Sequence, residues 1–151
     1  MSVVVGSNLF SNTWNTIYKT ISGNVADPAG RSSPWIFADF PMAQEGKTDT
    51  FPGYPIVTIE PFQSDTVNLT HGLNDTYSTI TSVISVHTTN KRQIDVVSSD
   101  VWAALNDDRG TFASSGMNHL MMSPGGVDTN AIDRDNKIHT KNLGVQFKVR
   151  I

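Results

Sequence analysis

The chain has 151 residues, 38% of them hydrophobic and 17% charged, with 11 Lys and Arg against 14 Asp and Glu and no cysteine. That length suits a single domain spanning 1–151 around one core, and the missing cysteines exclude disulfide scaffolds, thiolate metal centres and cysteine nucleophiles. The net charge of −3 divides into −1 over residues 1–54, −3 over 55–89 and +1 over 90–151, which is not the footprint of a dedicated nucleic-acid binder.

In residues 8–22, Phe10, Trp14, Ile17 and Ile21 recur at i, i+4, i+7 and i+11, one stripe of an amphipathic helix, with Ser7 as N-cap and Gly23 as stop. From Asn24 to Pro55 the periodicity disappears. Six of the seven prolines lie between residues 28 and 61, yet Trp35, Phe37, Phe40, Phe51 and Tyr54 fall in the same irregular stretch, about 24–54. Aromatics at this density mark a segment that docks on something, either the domain's own sheet or a neighbouring subunit. Long irregular segments tend to be functional, so a subunit interface built on these five aromatics is expected, with Trp35, Phe37 and Phe40 as its anchors.

Residues 55–61 (PIVTIEP) read as a short strand bracketed by prolines, and Asp65 to Thr70 as a second. A turn-rich stretch, His71 to Asp75, leads into Thr76–Thr89, whose β-branched residues predict a long central strand. On it Ile80, Ser82, Ile84 and Val86 share one face, and Tyr77, Thr79, Thr81, Val83, Ser85 and His87 the other. Asn90–Asn106 returns to helical period through Ile94, Val97, Val101 and Leu105, with Thr89 or Asn90 as cap and an end near Gly110. Gly110–Gly116 then reads as a loop, Met117–Ser123 as a strand, Ser123 to Gly126 as a turn, and 127–141 as polar and irregular. Leu143, Val145, Phe147, Val149 and Ile151 alternate strictly with Gly144, Gln146, Lys148 and Arg150, the pattern of a half-buried closing strand. Strands that come in runs separated by a helix predict an α+β fold, a mostly antiparallel sheet with two helices packed on one face.

Ser, Thr and Asn supply 43 of the 151 residues. Short neutral polar groups suit surfaces buried against other subunits, where Lys and Glu are depleted, and they equally suit Thr-rich strands. No apolar run approaches the ~18 residues of a membrane span, and Met1 to Gly6 lacks the basic and apolar regions of an export signal, so no membrane association is expected. His71, His87, His119 and His139 show no metal-ligand spacing. The oxygen-rich Asp128 to Asp135 stretch lacks the glycine and the glutamate of a calcium loop, holding Asp133 and His139 at those places. There is no Gly-x-Ser-x-Gly elbow and no phosphate cradle, and the two glutamates, Glu45 and Glu60, both sit beside Gly or Pro turns. No catalytic, cofactor-binding or metal site is therefore expected, and Lys137, His139, Lys141, Lys148 and Arg150, preceded by Asp133 and Asp135, read as a solvated face.

The order of these pieces (the first amphipathic helix, PIVTIEP at 55–61, the strand Tyr77–His87 running straight into helix 90–106, and the closing strand Leu143–Ile151) resembles the tail terminator, or tail completion, proteins of long-tailed bacteriophages. The resemblance covers most of the chain and rests on architecture and size. It implies helices covering one side of a mostly antiparallel sheet and a virion structural protein that assembles with itself into a hexameric ring. Such a ring caps the tail tube protein and joins it to the head connector or neck, and DNA passes the lumen without sequence recognition. The location implied is the virion tail, with assembly in the host cytoplasm. Lys148 and Arg150 would face the lumen or a neighbour. Residues 24–54 and 124–141 are longer and more irregular than a minimal member needs. Two other readings compete: another neck, connector or baseplate virion component, and a small soluble enzyme or ligand-binding domain with a pocket built from His87, Asp100 or the 128–135 acids.

Overall fold

A computed structural model describes residues 9–32, 34–39, 53–60, 62–68, 76–131 and 137–150. Its elements in chain order are α1 (Leu9–Asn24), β1 (Ile36–Phe37), β2 (Ile56–Ile59), β3 (Gln63–Asn68), β4 (Thr76–Thr88), α2 (Lys91–Asp107), α3 (Arg109–Ser114), β5 (Met117–Ala131) and β6 (Lys137–Arg150). The strands form one sheet in the order β1-β2-β4-β6-β5, with β3 paired to the first half of β4 on the edge whose second half pairs β2. β1 and β2 run parallel, and the other pairings among the described residues are antiparallel.

The alternation read in the sequence builds the core directly. Ile80, Ser82, Ile84 and Val86 are buried on one face of β4, beside Val57 and Ile59 of β2 and Leu143, Val145, Phe147 and Val149 of β6. Ile17 and Ile21 of α1 and Ile94, Val97, Val101 and Leu105 of α2 join the same cluster. Each such side chain contributes about 1.5–3 kcal/mol on burial, far more than helix propensity, so the shared face is what holds the helices. The expected α+β architecture, helices on one side of a mostly antiparallel sheet, is thus what the chain forms.

Asn90 caps α2, its side chain accepting the Arg92 amide at 3.0 Å. On α1 the stripe is shifted from the expected one: Phe10 is exposed, while Thr13 and Thr20 take buried places beside Ile17 and Ile21. Trp14 stacks on Tyr18 at 5.2 Å and donates its indole N–H to the Ile59 carbonyl, tying α1 to β2. The Ser7 cap and the turn at 71–75 lie outside the described residues.

Two expectations are corrected. Residues 110–116 are no loop: α3 occupies Arg109–Ser114, because Phe112 is fully buried with its ring 5.2 Å from that of Phe147. Tertiary burial of one aromatic overrides the weak helix propensity of Gly110 and Thr111. Gly116, at φ 88, then turns the chain into β5.

Ser123–Gly126 is likewise no turn, and the described parts of 127–141 are strand. β5 runs through both to Ala131, and β6 begins at Lys137. Pro124 pairs with Leu143 on a strand that has no second partner among the described residues, where a missing N–H costs no ladder bond. Gly125 and Gly126 together oppose Asn142, a β-bulge, and a Cβ on Gly125 would stand 2.8 Å from the Asn142 carbonyl oxygen. His119 and Leu120 form the other bulge, opposite Phe147, with His119 at φ 54 and Arg109 donating to the Leu120 carbonyl at 2.6 Å.

Candidate functional site

With the three helices on one side, the other face of the sheet presents a row of short polar side chains. The register aligns Ile56, His87, Thr140 and Asp128 across four strands, with Thr58, Ser85 and Asn142 in the row beside it. Thr58 Oγ1 lies 3.0 Å from His87 Nε2, and Thr140 Oγ1 lies 2.9 Å from Nδ1. Ser85 donates its hydroxyl to Asn142 Oδ1 at 2.7 Å. Burial holds the His87 imidazole below its ordinary pKa of 6.5, so at neutral pH the ring is uncharged, with one nitrogen donating to a threonine oxygen and the other accepting a hydroxyl proton. This arrangement stitches β2, β4 and β6 together with neutral groups.

The five aromatics of the irregular segment separate. Trp35, 8% exposed, packs in the chain's own core, whereas Phe37 on β1 and Tyr54 just before β2 are half-buried. Burial also raises the Tyr54 phenol above its ordinary value. Phe40 and Phe51 lie outside the described residues. The ends of the segment are held by a clamp that pattern reading passed over. Arg31 grips the Asp27 carboxylate through Nε at 2.8 Å and a terminal nitrogen at 3.0 Å, and donates further to the carbonyls of Gly53, at 2.7 Å, and Pro55. Asp27 also accepts the Ala29 and Arg31 amides. Its only trace in the sequence is an acid and a base four residues apart around Pro28 and Gly30.

Lys148 is exposed on the helix-free side, paired through β6 with Thr79 and Asn118, and Arg150 pairs through its backbone with Tyr77. Lys137, His139 and Lys141 alternate onto the other face, where Lys141 reaches Asp95 of α2 at 3.1 Å. The described basic side chains of β6 (Lys137, His139, Lys141 and Lys148) therefore divide between the two faces.

The residues named for an enzymatic pocket do not converge. His87 is on the helix-free face, Asp100 on the outer side of α2, Asp128 on exposed β5, and Asp133 and Asp135 lie outside the described residues. Asp100, Asp107 and Asp108 border an open cleft of about 550 Å³ beside Asn24 to Ala26. Asp108 is committed there to hydroxyl donors from Thr20, at 2.9 Å, and Thr111, at 3.0 Å. Among the described residues no group of three or more His, Asp or Glu is placed to hold a metal ion.

Two surface features remain. β5 is an edge strand of 15 residues, exposed from Ser123 to Thr129, at the opposite end of the sheet from β1 and its neighbours Phe37 and Tyr54. The outer side of α2 carries Lys91 and Arg92 in its first turn and Asp107 in its last, with no acid in the first turn and no base in the last. That order opposes the helix macrodipole, at a cost of about 0.3–1 kcal/mol for each such charge.

No protein-family model matches the chain, and no curated protein does. Among solved structures, a chain of the virion of a native gene transfer agent (GTA) particle superposes with a TM-score of 0.47 at 13% identity, over 89% of this chain and 92% of that one.

Proposed function

We propose that the protein is a virion structural component of the tail-terminator kind: a subunit that closes a ring with copies of itself, caps a tail tube and presents the surface that meets the head connector. The observation that carries this reading is the pair of unlike sheet edges. Among the described residues β5 has no partner on its outer side and so offers a ladder of backbone groups at one end of the sheet, and the β1 side, with Phe37 and Tyr54 half-buried, lies at the other. An exposed strand of this length is a template for pairing with another chain. A surface on one side of the subunit that mates with a different surface on the other is a heterologous contact, which generates a ring when the rotation closes. In this reading Phe40 and Phe51 also serve the subunit interface. The exposed part of the helix-free face, around Lys148, lines the lumen, Arg150 serves the lumen or a neighbour, and DNA passes without its sequence being recognised. The subunit has no bond-making centre, and it works in the virion, assembled in the host cytoplasm.

The test is light scattering and negative-stain microscopy of the full chain, alone and mixed with the tail tube protein of the same genome. Rings of one defined order, lost when a backbone-blocking Val127→Pro is placed in β5, support the proposal. A chain that forms no ring even on purified tubes overturns it.

A further inference from the structure

We infer that the outer face of α2 is a second self-association surface, on which two copies of this chain pair antiparallel about a twofold axis. Arg92, Val96, Ser99, Ala103 and Asp107 follow one line along the helix, on the side away from the buried Ile94, Val97, Val101 and Leu105. Val96 is 59% exposed in the middle of that line, flanked by the small side chains of Ser99 and Ala103, which let a second helix approach closely.

The occupant is identified by charge. Seventeen residues make α2 about 25 Å long, with Lys91 and Arg92 at one end, Asp107 at the other and Asp100 near the middle. A second α2 laid antiparallel, centred between Ser99 and Asp100, sets Arg92 of each copy against Asp107 of the other, Val96 against Ala103, and the two helix dipoles in opposition. Within one subunit the same charges work against the dipole of α2, so the isolated fold gains nothing from their order, whereas the pair gains at both ends. A patch that complements itself in this way is isologous and closes at two copies. It is distinct from the β5 and β1-side edges and does not depend on the virion reading. A contact confined to one helix face falls short of the ~1,200 Å² that stable complexes bury, so the pairing is weak, concentration-dependent and weakened by salt.

Sedimentation velocity of the full chain over a concentration series, with circular dichroism as the folding control, tests it. Arg92→Glu and Asp107→Lys each suit the dipole of α2 and leave the subunit folded, yet each is expected to weaken self-association at least about tenfold. The double variant restores it, and a mixture of the two single variants, one with an acidic α2 face and the other with a basic one, forms the tightest pair. A wild-type chain that shows no pairing at any concentration, or self-association indifferent to both reversals, overturns the inference.

Discussion

Arg31 and Asp27 meet through two nearly parallel N–H···O contacts, 2.8 and 3.0 Å long, with both side chains about nine-tenths buried. Because Arg31 also reaches the Gly53 and Pro55 carbonyls, this pair joins the start of the irregular segment to its end.

The hydrogen bonds from Arg31 hold the Asp27 carboxyl below its ordinary pKa of 3.8 against the opposing effect of burial. A depressed folded value means that the pair's stabilisation is complete above 3.8 and is lost as pH falls through the lower folded value. Asp27→Asn is expected to cost about 1–3 kcal/mol at neutral pH, and the gap to wild type should close in strongly acid solution. Denaturant titrations at pH 7 and pH 2.5 measure both.

His87 titrates with the opposite consequence. Its folded pKa lies below 6.5, so under acid conditions the unfolded chain takes the proton first. Stability is unaffected well above 6.5, declines as pH falls from there toward the folded value, and then levels. The slope attributable to this one group cannot exceed about 1.4 kcal/mol per pH unit. Thermal melts from pH 8 to pH 5 should show that decline in wild type and a shallower one in His87→Gln.

Two adjacent glycines should respond differently to one methyl group. A Cβ on Gly125 would collide with the Asn142 carbonyl oxygen at 2.8 Å, whereas Gly126 has nothing within 4 Å of that position. Gly125→Ala is expected to lose about 1–3 kcal/mol, and Gly126→Ala to stay within about 0.5 kcal/mol of wild type. Equal losses would mean that the bulge opposite Asn142 does not have the described geometry.

Trp35 and Phe37 separate folding from assembly. Trp35→Ala removes a side chain of the core and should cost about 3–5 kcal/mol, lowering the melting temperature of the subunit itself. Phe37→Ala, on the β1 edge, should leave the subunit folded and reduce ring formation on tubes. Melting curves read beside light scattering distinguish the two effects.

β4, α2 and the closing strand were legible because each writes its period in the chain: two along Ile80 to Val86 and Leu143 to Val149, and 3.6 along Ile94 to Leu105. α3 was not, since its six residues carry one apolar anchor, Phe112, and its reason to be helical is Phe147, 35 positions away. The Asp27–Arg31 clamp shows the same limit. The acid and base four residues apart could be seen, but not the carbonyls of Gly53 and Pro55 that give the arginine its remaining partners.

The sequence by itself determined the fold class and the core faces of β4, α2 and β6, because alternation and helical stripes are local consequences of which side of an element must leave water. Only the tertiary structure decided that Ser123 to Gly126 is a kinked edge strand and that His87 is a neutral strut between two threonines. Proline and glycine announce a break in regular pairing, but whether the break is a turn or a bulge depends on the strand lying opposite. The state of an imidazole likewise depends on neighbours that the fold, not the chain order, brings to it.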